Sequence, residues 1–201
     1  GEVTPGLTEA FLDVARSWRK AATHPNIVTI LDWGTDPRPW VLVDTEGNQT
    51  LEQIVEQAQP KTARTVVSDV AEALRNGGYY ILTHGNLTPE QGRVRVDGEV
   101  TALVDDWGLA RVVATHLKDD YVTPYTAPEQ LTGAEKSDPS RIDVYGLGAV
   151  AYFALTGQPP FPANGEAIRA GESVPPSDRD ERVPPEVDAV LRRALSPNPS
   201  D

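Results

Sequence analysis

The sequence predicts an α+β protein in which one helix and a few short antiparallel strands come first and mostly helix follows. Three observations carry this. Residues 61–75 place Ala63, Val66, Val67, Val70, Ala71 and Leu74 along one face, the period of an amphipathic helix. Short β-rich runs at 27–31, 40–43, 94–96 and 101–104 are separated by turn residues. The nearly apolar run Val144–Leu155 is too short to span a bilayer and reads as a buried core helix.

Taken in order, residues 7–22 carry apolar side chains at 7, 11, 14, 15 and 18, which is helical spacing. Thr8 is the start signal, and His24-Pro25 is the stop, because the residue before proline is pushed out of the helical region. Ile27–Leu31 and Trp40–Val43 read as strands joined by a turn holding Gly34, Pro37 and Pro39. Leu51–Gln57 reads as a short helix, and the long helix over 61–75 is expected to end at Gly77-Gly78. Val94–Val96 and Thr101–Val104 read as a hairpin on the Asp97-Gly98 signal. A loop follows, and then a buried helix over Ile142–Thr156, stopped by Gly157 and Pro159-Pro160. Residues 163–185 read as surface loop with one short helix. Glu186–Leu195 closes the chain as an amphipathic helix with Val187, Val190, Leu191 and Leu195 on one face.

Composition narrows the function. Apolar residues make up 39% of the chain, enough for a globular core. The absence of cysteine excludes disulfides, thiol catalysis and zinc–thiolate sites. The net charge of −12 disfavours nucleic acid and anionic membranes, whose phosphates need a basic footprint. No signal segment opens the chain, and a cytoplasmic location is expected. Methionine is absent, so Gly1 is not a translation start and the chain is expected to be an excerpt of a longer protein. Only four of the 18 basic residues are lysine; with so many carboxylates this fits either a halophilic, archaeal source or an ordinary acidic domain.

Four segments stand out: His84-Gly85-Asn86-Leu87-Thr88-Pro89-Glu90-Gln91 after the long helix, Asp105-Asp106-Trp107-Gly108 after a strand, Ala127-Pro128-Glu129 at the end of a loop, and Asp143-Val144-Tyr145-Gly146 opening the buried helix. Each alone reads as a turn. Together, in this order and spacing, they resemble the eukaryotic-type Ser/Thr protein kinases. The resemblance implies a protein-kinase-like fold with a mostly helical C-lobe and a truncated N-lobe remnant. Residues 1–46 would be the partial N-lobe, holding the C-helix, short strands and hinge, and residues 47–201 the C-lobe.

The resemblance also exposes what is changed. Phosphoryl transfer needs phosphates held, metal held and a base on the acceptor hydroxyl. The base position is Asn86, an amide that cannot accept a proton at physiological pH. The position of the phosphate-steadying Lys is Thr88, and that of the second metal ligand is Gln91, which is longer than the usual Asn. Gly85 stands where an Arg usually follows the His. The C-helix Glu position falls at Ala15, and a Gly-rich loop and strand Lys would lie before residue 1. Asp106 remains and could bind a cation; Asp105 is either a second carboxylate ligand or, the preferred reading, a solvated charge.

The remaining family positions imply structural duties. His84 would be a buried hydrogen-bonding strut, Trp107 would pack under the C-helix, Gly108 would be a structural position beside it, and Asp143 would accept backbone hydrogen bonds from the catalytic loop. Glu129 would pair with an Arg just past a Pro-x-Asp motif; the chain stops at Pro199-Ser200-Asp201, so Glu129 is expected to lack that partner here. Adenine would meet the backbone of Asp44, Thr45 and Glu46. The resulting expectation is a catalytically inactive pseudokinase, a regulatory or scaffolding module that binds a protein partner through its kinase-like lobe and needs no cofactor. The alternatives are a divergent ATP-dependent Ser/Thr kinase of low activity, or an ATP-sensing module using Mg²⁺ or Mn²⁺ within a longer protein.

Overall fold

Helix α1 runs from Pro5 to Ala21 in a computed structural model that describes residues 3–45, 48–55, 60–96, 99–117, 122–131 and 138–198. Its start differs from the expected one. Thr4, not Thr8, is the cap: its Oγ1 accepts the Leu7 N–H at 3.2 Å, and Pro5 follows where a missing N–H costs nothing. Leu7, Phe11, Ala15, Trp18 and Ala21 form the buried stripe. Trp18 Nε1 donates to the Val28 carbonyl at 3.0 Å, which ties α1 to the segment after it.

Strands β1 (Ile30–Gly34) and β2 (Trp40–Val43) form an antiparallel pair in which Trp33 faces Val41. Ile27, expected to open β1, instead makes a parallel bridge to Val104. Strand β3 (Asn48–Thr50) runs into α2 (Leu51–Val55) and pairs with β4 (Gly92–Val96), which pairs in turn with β5 (Val100–Val104), all antiparallel. The hairpin is as expected; Asp97-Gly98, its turn signal, lies outside the described residues, as do positions 56 and 57 of the expected short helix.

Helix α3 spans Pro60–Tyr79 and does not stop at Gly77-Gly78. Ala63, Val66, Val70 and Ala73 are buried along one line, and Gly77 is the next position on it. A Cβ at Gly77 would lie 2.5 Å from Trp107 Cζ3, so this glycine makes room for an indole and does not end a helix. The loop expected after β5 contains a further helix, α4 (Leu109–Leu117), whose Val112 packs with Leu7 and Phe11 of α1. Its apolar spacing repeats too few times for a helix to be read from sequence.

A 3₁₀ turn (Pro128–Leu131) precedes α5 (Pro139–Thr156), the expected buried helix, capped by Asp138 and closed by Gly157 in a left-handed conformation. Two short helices, α6 (Gly165–Ala170) and α7 (Pro176–Arg179), stand where one was expected, and α8 (Glu186–Ala194) closes the described chain. One core gathers Ala15, Trp18, Val66, Val70, Val104 and Phe153 from α1, α3, β5 and α5, with Trp107 from the turn after β5. A second gathers Tyr152, Phe161, Ile168, Leu191 and Leu195 around the far face of α5. No described helix is long and apolar enough to cross a membrane.

Candidate functional site

The site lies where the loop 84–91 meets the end of β5. Asp143, near the start of α5, holds the loop: its two oxygens accept the His84 N–H at 2.9 Å and the Gly85 N–H at 2.8 Å. Burial pushes the Asp143 carboxyl up from its ordinary range, and these two bonds and the nearby Arg111 pull it back. Gly85 has φ of 75°, a left-handed backbone in which an Arg would be strained. Gln130 adds a tie that the sequence reading did not anticipate, donating from Nε2 to the Gly85 carbonyl at 2.8 Å.

His84 is fully buried. Its Nε2 stands 2.9 Å from the Asp105 carbonyl, which can only accept, so Nε2 carries the proton. Nδ1 is then free to accept the Asn86 N–H at 3.3 Å. Burial lowers the imidazole pKa to about 4, which keeps the ring neutral at neutral pH. Such a ring bridges the loop to β5.

Asn86 is half-buried, and Thr88 is buried. Thr88 Oγ1 donates to Gln91 Oε1 at 3.2 Å, and Gln91 Nε2 donates to Asp106 Oδ2 at 3.3 Å. Asp106 has φ of 63°, and its carboxyl is raised by burial and by Asp105 and lowered by Gln91 and Arg93. Asp105 is not a solvated charge. It is buried, its Oδ1 accepts the Asp106 N–H at 2.8 Å, and its Oδ2 accepts from Arg93 Nε at 3.2 Å. The expected strand begins at Val94 and does not include Arg93; only the pairing of β4, which opens at Gly92, with β5 brings it to Asp105.

Trp107 is fully buried beside His84, with ring centroids 5.6 Å apart, and its Nε1 donates to the Val104 carbonyl at 3.0 Å. Gly108 has φ of 65°, and a Cβ there would meet the Thr83 carbonyl oxygen and Val14 Cγ1, each at 3.3 Å. Ala15, at the expected C-helix Glu position, is wholly buried in the main core. Asp44 is exposed and Thr45 half-buried; Glu46 lies outside the described residues.

Glu129 is buried and keeps a polar interaction in this chain. It lines a cavity of about 340 Å³ whose wall also includes Arg141 of α5 and Arg193 of α8. The expected motif at 199–201 lies outside the described residues.

The geometry is that of a known family, and comparison with known proteins agrees. A family model described as the protein kinase domain matches residues 15–201. The chain belongs to the protein kinase domain family. It is 32% identical over 201 residues to the serine/threonine-protein kinase PknB of Mycolicibacterium smegmatis, covering 90% of this chain and 32% of that protein. It is 32% identical over 214 residues to the serine/threonine-protein kinase Pkn1 of Myxococcus xanthus, covering 98% of this chain and 30% of that one. The chain thus spans about a third of the length of these curated relatives. Among solved structures, the Mycobacterium tuberculosis PknI kinase domain superposes with a TM-score of 0.74 at 23% identity, covering 98% of this chain and 74% of that one. Rad53 1–466 in complex with AMP-PNP gives 0.73 at 20%, covering 94% and 51%. At these identities the two structures speak to the fold alone.

Proposed function

We propose that this chain is a pseudokinase domain, a regulatory or scaffolding module that binds a protein partner through its helical lobe. The observation that carries the reading is the chemistry of loop 84–91. An amide, Asn86, stands at the base position and a hydroxyl, Thr88, at the phosphate-steadying position. Neither can take the acceptor's proton or balance a transferring phosphate. The side chain at the second ligand position, Gln91, turns a donor toward Asp106. On this reading residues 1–46 act as a partial N-lobe and residues 47–201 as the C-lobe, and the acidic surface keeps nucleic acid away.

A second reading is favoured by the family itself. The curated relatives are named serine/threonine-protein kinases, and Asp106 is retained. Positioning and charge stabilisation carry much of a phosphoryl transfer, so a slow ATP-dependent Ser/Thr kinase, or an ATP sensor without turnover, is the alternative.

The deciding experiment is phosphate transfer from radiolabelled ATP to generic protein substrates at high protein concentration, with Mg²⁺ or Mn²⁺. No transfer is expected. Transfer that disappears in Asp106→Ala would establish the second reading in place of the first.

A further inference from the structure

Two adjacent carboxylates at the end of a strand, Asp105 and Asp106, form an anionic pair of the oxygen type that hard divalent cations bind. Here the chain brings its own positive charge. Arg93 leaves β4 and places Nε 3.2 Å from Asp105 Oδ2. The two side chains are 30% and 10% exposed, so solvent and salt screen this pair less than a surface one. The other Asp105 oxygen accepts the Asp106 N–H, so both are committed to donors within the chain.

The neighbouring ligand position is committed too. Gln91 has one oxygen to offer a metal, and that oxygen accepts the Thr88 hydroxyl; the amide points its Nε2 at Asp106 Oδ2. Hard cations require several oxygens converging on one point, at distances near 2 Å for Mg²⁺. What converges on the Asp105–Asp106 pair is a guanidinium, an amide N–H and a backbone N–H. The residues present therefore do not fit the metal-bound nucleotide that the family implies.

We infer that Arg93 is the resident cation of this site: it supplies from within the chain the charge balance that a divalent metal would supply, and the Asp105–Asp106 pair does not recruit Mg²⁺ or Mn²⁺ while the guanidinium is in place. The inference deepens the pseudokinase reading and rests on it for its consequence, that a phosphate-bearing ligand reaching this site meets a guanidinium in place of a metal. Arg93 is a positioning residue here, acting through Asp105.

The test is Mn²⁺ uptake, followed by water-proton relaxation and by thermal unfolding, for the wild type, Arg93→Leu, Arg93→Lys, Asp106→Asn and the Arg93→Leu/Asp106→Asn double variant. A chain of net charge −12 gathers Mn²⁺ diffusely, so only uptake that vanishes with Asp106→Asn counts. The wild type and Arg93→Lys are expected to show none up to about 1 mM, the weak limit of oxygen-ligand sites. Arg93→Leu is expected to gain one site at least about tenfold tighter than that limit, absent from the double variant, with a melting temperature raised by Mn²⁺. If Arg93→Leu does not fold alone, Mn²⁺ should restore it, since the metal replaces the missing charge. Asp106-dependent uptake by the wild type or by Arg93→Lys would overturn the inference. So would a folded Arg93→Leu that takes no Mn²⁺, or an unfolded one that Mn²⁺ does not rescue. Phosphate transfer by a wild type that takes up no Mn²⁺ would sink only the pseudokinase reading, and Mn²⁺ uptake without transfer only this one.

Discussion

Gly77 and Gly78 are adjacent in α3, yet the structure assigns them opposite responses to the same substitution. Both lie before the last residue of the helix, and neither has a left-handed backbone. Helix propensity alone favours alanine at each, by up to about 1 kcal/mol. At Gly78 nothing would lie within 4 Å of the new methyl, so Gly78→Ala should stabilise by about 0.5–1 kcal/mol. At Gly77 the methyl would sit 2.5 Å from Trp107 Cζ3 and 2.9 Å from Cη2. Trp107 cannot swing away freely: it is fully buried, tethered by its Nε1 to the Val104 carbonyl and packed beside His84. Overpacking of a tight core costs about 1–3 kcal/mol, which outweighs the propensity gain. The assay is urea unfolding of the wild type and both single variants, with the slope checked for constancy so that midpoints report stability. Gly77→Ala should move the midpoint down and Gly78→Ala up. Two shifts of the same sign would refute the packing argument.

Two more outcomes follow from backbone strain and from burial. Ile81 is a β-branched residue at φ of 56° with 97% of its surface exposed, so Ile81→Gly should relieve left-handed strain at no loss of burial. The expected gain is about 1 kcal/mol, seen as a melting temperature higher by about 2–4 °C, while Ile81→Ala should show no such gain. His84 titrates near 6.5 when unfolded and at about 4 in the buried site. Between those values the unfolded chain binds the extra proton, so stability is complete above the unfolded pKa and falls as pH drops toward 4. The loss attributable to His84 is about 3 kcal/mol, opposed in the same acid range by Asp106 and Asp143, whose carboxyls burial raises. Unfolding curves from pH 7 to 4 should show this slope in the wild type and a smaller one in His84→Gln; equal slopes would place the acid sensitivity elsewhere.

Local chemistry made much of this protein legible in its sequence. The apolar period of α3, the buried run of α5, the hairpin of β4 and β5 and the proline stop after α1 all depend on neighbours within a few residues, where sterics and side-chain periodicity act directly. The loop 84–91 stands out in the sequence, but the reading of Asn86, Thr88 and Gln91 rests on the family resemblance. The long-range role of Asp143 was visible only through family resemblance, and the structure places its two oxygens on the His84 and Gly85 amides.

What tertiary structure alone decided involves partners far apart in the chain or signals too short to read. Thr4 against Thr8 as the cap of α1 turned on where the buried stripe begins, at Leu7. Helix α4 exists because Val112 finds Leu7 and Phe11 of α1. Gly77 reads as a stop until Trp107, thirty positions on, is seen lying against it. Asp105 reads as a solvated charge until strand pairing carries Arg93 to it. A charge's surroundings are set by which distant segments displace water around it, and no short window of sequence contains that information.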